Sequence, residues 1–166
     1  MRDLTTACAM IATVALALVV TGCSQAPDGA GEAEDTPEFA AMEYRQGLMH
    51  VFAFKAGAIR DMAEGTIDAD ADVFAEYAAD LAAATGMLLE GFDGLQGSNA
   101  EALAGSGALP DIWANWDDFT QKAADLQAAA EQVAAASSAP GFSVDVDSAE
   151  PLRPVCGGCH RVYRQQ

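Results

Sequence analysis

Basic residues are scarce in this chain: eight Lys and Arg stand against 25 Asp and Glu in 166 residues, a formal charge of −17. A surface of that sign repels phosphate backbones and anionic headgroups, so nucleic acid is excluded as a natural partner. On net charge alone, a macromolecular partner is expected to offer a basic docking face. Runs of β-branched residues are nearly absent while alanine recurs throughout, which favours helix over strand. The GxGxxG, P-loop, HExxH and GxSxG patterns are all missing, and no acid, base or nucleophile stands out. The chain is therefore expected not to be an enzyme. Beyond the N-terminal segment no apolar run is long enough to span a bilayer, and no internal repeat is visible. Cysteine and histidine are rare as well, with four of one and two of the other.

What is present begins with MRDLTTACAMIATVALALVVTGCSQ, in which Arg2 precedes an apolar stretch from Ala7 to Val20. That stretch is short for a membrane span and suits the core of a signal peptide. It closes with Val20, Thr21, Gly22 and Cys23, which resembles the lipobox of bacterial lipoproteins. The resemblance implies that residues 1–22 are removed and that Cys23 carries a diacylglycerol. An ordinary signal peptide with an incidental cysteine is the competing reading. Cys8 would leave with the signal, so with Cys23 acylated only Cys156 and Cys159 remain as free thiols, and a disulfide framework is excluded. Residues 23–38, small, acidic and broken by Pro27 and Pro37, read as a flexible tether. It would hold a domain of residues 39–166 on the periplasmic side of a bacterial membrane.

From Phe39 to about Glu64, the positions Met42, Met49, Phe52, Ala56, Ile59 and Ala63 fall mostly three or four apart. They form one stripe of an amphipathic helix about 39 Å long. A second helix is expected over Ala71 to Leu89, with Phe74, Tyr77, Ala78, Leu81, Thr85 and Leu88 on one side. Gly91 to Pro110 is rich in glycine and reads as a long loop. A third helix follows Asn115 as N-cap, with Asp117 and Asp118 at the positive end of its dipole. It turns Trp116, Phe119, Ala123, Leu126, Ala130 and Val133 inward. Pro151 and Pro154 would break a helix running through them, but proline is tolerated in a first turn, so the last helix is expected to start near Pro154. Three long helices and a short fourth predict an all-α, antiparallel four-helix bundle.

The rare residues gather in the last helix. Within VCGGCHRVYRQQ, Cys156, Cys159 and His160 spell C-x-x-C-H, and helical residues three and four apart share a face. Two thiols at that spacing can add to the two vinyl groups of one haem, with the adjacent histidine meeting the iron. A thioredoxin-like redox pair needs a βαβ setting, and none is visible. A structural zinc site needs a fourth ligand, and the only other histidine is His50, a full helix away. A chance cluster would have to explain the export signal too, since haem is attached outside the cytoplasm. One motif predicts one covalently bound haem c.

A C-x-x-C-H motif that closes a helical bundle resembles the class II c-type cytochromes, the cytochrome c-prime family, along Phe39 to Arg164. The tail matches as Cys156, Cys159, His160, Tyr163 and Arg164. The first helix carries Tyr44-Arg45-Gln46 and then Met49, and Leu109 to Trp113 followed by Phe119 is similar to the family's stretch before helix three. Pro151 and Pro154 depart from the pattern and predict a shorter fourth helix. The resemblance implies that His160 is the proximal iron ligand, that Arg164 packs near it, and that Arg45 approaches a haem propionate. For either arginine a solvated surface charge is the alternative. It also implies that Met49 is the distal residue. In some members that side chain ligates iron and the protein carries electrons; in others it only crowds a site open to small gases.

Adjacent helical residues point about 100° apart, so with Met49 on the apolar stripe His50 is expected at the surface. Phe92, Trp113, Trp116 and Phe119 are expected chiefly in the core, with haem against some of them. The preferred reading is a lipid-tethered, periplasm-facing carrier of single electrons. The alternative is a five-coordinate haem protein that binds nitric oxide or carbon monoxide. The apolar faces of the first two helices are also expected to support a homodimer, by analogy with many family members.

Overall fold

The structure is a computed structural model that describes residues 35–166, so the signal segment, Cys23 and most of the tether lie outside it. Among the described residues the long elements are all helices: α1 Pro37–Ala63, α2 Ala71–Thr85, α3 Asp111–Ala114, α4 Trp116–Ser137 and α5 Leu152–Tyr163. Strand pairing is limited to one isolated antiparallel bridge between Ala108 and Arg164. No helix among these residues is long and apolar enough to cross a membrane.

The helices α1, α2, α4 and α5 form the expected antiparallel bundle, and two core clusters show their directions. One cluster joins Ile59 near the end of α1, Phe74 near the start of α2, Val133 late in α4 and Leu152 at the start of α5. The other joins Leu48, a few turns earlier in α1, to Ala84 late in α2, Phe119 early in α4 and Tyr163 at the end of α5.

Local chemistry sets the boundaries. The Thr36 hydroxyl accepts the Phe39 N–H at 3.2 Å, and Pro37 suits a first turn, so α1 begins inside the segment that reads as tether. Asp70 caps α2 by accepting from the Asp72 and Val73 amides at 3.0 and 3.1 Å. That helix stops at Thr85 rather than at Leu89. Gly86 follows at its C-cap, and Leu88 reaches the core from a 3-10 turn, Leu88–Gly91. α3 has no counterpart in the sequence pattern, because four residues are too few to show a period. Asn115 does occupy the N-cap position of α4, but its Nδ2 donates back to the Asp111 carbonyl at 3.0 Å instead of capping. α5 starts at Leu152, two residues before the expected point. Pro154 is its third residue, where an amide would have no intrahelical acceptor to lose.

Along α1 the apolar stripe divides. Met42, Ile59 and Ala63 are buried, while Met49, Phe52 and Ala56 are only half-buried. The packing order explains this: α1 lies on α2, α2 on α4 and α4 on α5, whereas α1 and α5 scarcely meet. Their seam is open.

Candidate functional site

The α1–α5 seam holds a cavity of about 830 Å³, within the range of roughly 300–1,000 Å³ for small-molecule and cofactor sites. α5 contributes Cys156, Cys159 and His160 to its lining, the residue after it contributes Arg164, and α1 contributes Arg45, Met49 and His50. The fold thus gathers around one space every candidate residue that the described region contains. His50 is exposed at the rim, as expected, while Met49 is half-buried. Phe52, Leu81, Leu88, Phe92, Phe119 and Leu126 make the apolar walls. Phe92 and Phe119 are therefore both core and cavity wall, whereas Trp113 and Trp116 pack behind them.

Helical spacing puts the two thiols and the imidazole of α5 on the cavity side. Both cysteines are half-buried and free, and burial pushes both thiols up. For Cys159 this outweighs the pull of the Lys122 cation. Burial, and then the Arg164 cation, lower the His160 pKa, which favours the neutral imidazole with its lone pair available. Arg164 itself is exposed, and its cation is the second cause of that lowering. Among the described residues no three His, Cys, Asp or Glu side chains gather to hold a bare metal ion.

Arg45 is 5% exposed, so the reading of it as a solvated surface charge is overturned. Its guanidinium donates to the Gly91 carbonyl and the Ser98 hydroxyl, each at 2.7 Å, and to the Ser98 carbonyl at 2.8 Å. It also reaches Ser106 Oγ at 3.5 Å and lies 4.8 Å from the centroid of the Phe92 ring. These partners are all neutral. A buried cation at the edge of a cavity, with no carboxylate among its partners, suits a ligand that carries an acidic substituent.

Sequence reasoning did not single out Ser98 or Ser106, because a serine hydroxyl in a glycine-rich loop has no distinctive pattern. Through them Arg45 holds the Gly91–Pro110 segment against α1. The far end of that segment is tied to α5. The Leu109 N–H donates to the Tyr163 carbonyl at 3.0 Å, and the Gln165 N–H to the Gly107 carbonyl at 2.9 Å. Tyr163 is buried under Phe119, ring edge to ring face at 5.3 Å, and its hydroxyl donates to Asp118 Oδ2 at 2.5 Å. Burial and this carboxylate push its pKa up to about 12. Asp118, expected only to complement a helix dipole, therefore also anchors the end of α5.

Two free thiols and a neutral imidazole on one wall, apolar side chains on the others and a cation at the edge fit haem c. Residues 40–164 match the family model described as Cytochrome C'. Cytochrome c-554 of Cereibacter sphaeroides is 36% identical over 126 residues, which cover 75% of this chain and 92% of the relative. The solved structure of cytochrome c prime from Shewanella frigidimarina is similar at a TM-score of 0.70 with 30% identity, over 80% of this chain and 98% of that one. A nitric oxide complex of a cytochrome c prime variant from Alcaligenes xylosoxidans shares the fold at a TM-score of 0.65 and 24% identity, over 80% and 98% of the two chains. The chain belongs to the cytochrome c' family. Proteins of this family bind haem c.

Proposed function

We propose that this chain carries single electrons on one covalent haem c, held through Cys156 and Cys159 with His160 as proximal ligand and Met49 as distal ligand. The observation that carries the reading is the place of Met49. It borders the cavity from α1, facing the helix that holds His160, and lies one turn from the buried Arg45. The haem, when bound, supplies a one-electron couple at its iron. The rest is the work of the chain. The Met49 thioether, as a ligand, would favour the reduced state and would occupy the place a gas would take. The lowered His160 pKa keeps its lone pair free, and the Arg164 charge beside it tunes its basicity. Arg45 would face a propionate, and the apolar walls exclude water.

A second reading has its own support in the nitric oxide complex of the Alcaligenes protein. If Met49 turns aside without ligating, the same cavity admits nitric oxide or carbon monoxide. Absorption spectra of the oxidised and reduced protein, with and without carbon monoxide, separate the two. The electron carrier gives a low-spin spectrum that the gas leaves alone, and Met49→Ala makes it high-spin and gas-sensitive. A wild-type spectrum that is already high-spin and shifts with the gas gives the second reading the lead.

Family membership and the signal-like N-terminus support a place in the periplasm. The lipobox-like Val20 to Cys23 supports a lipid anchor, and Cys23→Ser is expected to release the protein from the membrane fraction. Exposed Val51 and Phe54 on α1 provide apolar surface for the proposed homodimer.

A further inference from the structure

Charge is distributed unevenly over this acidic molecule. The cavity lining includes Arg45, Arg60, Lys122, Arg153 and Arg164, five of the chain's eight Lys and Arg, and not one of its 25 Asp and Glu. α5 is also the one helix of the five whose sequence holds no carboxylate.

Most of these cations are already engaged. Arg60 pairs with Asp61 at 2.8 Å, Lys122 with Asp118 at 3.7 Å, and Arg153 with Glu64 and Glu150 at 3.8 and 3.5 Å. Arg45 is buried among neutral partners. Arg161 and Arg164, at the C-terminal end of α5, are exposed and make no ion pair among the described residues. Between them stands Val162, 47% exposed. A Cβ on Gly157 would meet Arg161 Nη1 at 3.2 Å, so Arg161 folds back along the outside of the helix. Cations in a last turn complement the helix dipole. That preference explains neither the exposed valine between them nor the absence of carboxylates along the whole helix.

We propose that Arg161, Val162 and Arg164 form the docking surface for a redox protein that presents an acidic patch. The proposal rests on the electron-carrier reading. Net charge alone favours a partner with a basic face, but the placement of the charges favours the opposite here. An acidic partner is repelled by most of this surface and attracted by one end of the helix that holds the haem ligands. Arginines beside an exposed apolar residue are also the composition of a binding hot spot.

Hexacyanochromate(III), a redox-inert paramagnetic anion, tests the surface on the reduced holoprotein by broadening amide resonances at low ionic strength. Broadening is expected to centre on residues 161–164, to weaken at least threefold in Arg161→Glu, and to fade when salt shortens the Debye length to about 8 Å. Broadening elsewhere, none at all, or none lost in Arg161→Glu overturns the proposal. With carbon monoxide present the reduced haem is diamagnetic whether or not Met49 ligates it, and the probe exchanges no electrons, so this result is independent of the spectra that test Met49. Oxidation by hexacyanoferrate(III) gives the second measurement. A charge of −17 spread evenly predicts a rate that rises with salt; a cationic docking end predicts one that falls. A rising rate overturns the proposal.

Discussion

The α2–α4 seam and the α1–α5 seam are built from helices of the same period, yet one is filled and the other is hollow. In the first, Phe74, Ala78 and Leu81 meet Ala129, Ala130 and Val133, and all six are buried. In the second, Met49, Phe52 and Ala56 stay half-buried, and the helix opposite brings Cys156, two glycines, Cys159 and His160. Periodicity shows which face turns inward. What stands across from that face decides whether it meets protein or a cofactor. An apolar stripe buried at both ends and half-exposed in its middle is thus a marker of cofactor space.

The largest effect should come from removing what holds the contents of the hollow seam. Cys156→Ser with Cys159→Ser is expected to abolish covalent haem, read as loss of haem stain after denaturing electrophoresis. Retained stain would sink the attachment proposal. Next comes the contrast between the seams. Phe74→Ala, at a fully buried position, should cost roughly 3–5 kcal/mol in urea unfolding of the haem-free protein. Phe52→Ala should cost under about 2 kcal/mol in the same assay, because that side chain borders the cavity. Equal losses would mean that the haem-free seam closes.

The smallest effect concerns the end of α5. The Tyr163 pKa is raised from 10 to about 12, so its neutral form favours the fold. That contribution is whole below pH 10 and is lost as pH rises from 10 to about 12. Tyr163→Phe should lower stability by roughly 1 kcal/mol near neutral pH, by removing one hydrogen bond. It should also flatten the decline of the urea midpoint across that alkaline window. A variant with the wild-type alkaline slope would show that another group carries it.

The sequence by itself determined the bundle, the attachment motif and the family, because each rests on short-range physics. Residues three and four apart share a helix face, prolines and caps mark ends, and C-x-x-C-H is a local pattern that no fold can rearrange. Local patterns failed where the decisive partner was distant. Leu88 is in register with α2 but belongs to a separate turn. Arg45 looked like a surface charge or a propionate partner, and only the folded chain shows it clamping a loop through Ser98 and Ser106. Asn115 holds the cap position with its side chain turned the other way. The hollow seam and the exposure of Arg161 and Arg164 at the end of α5 were likewise decided only by tertiary structure, because both depend on which helices end up face to face.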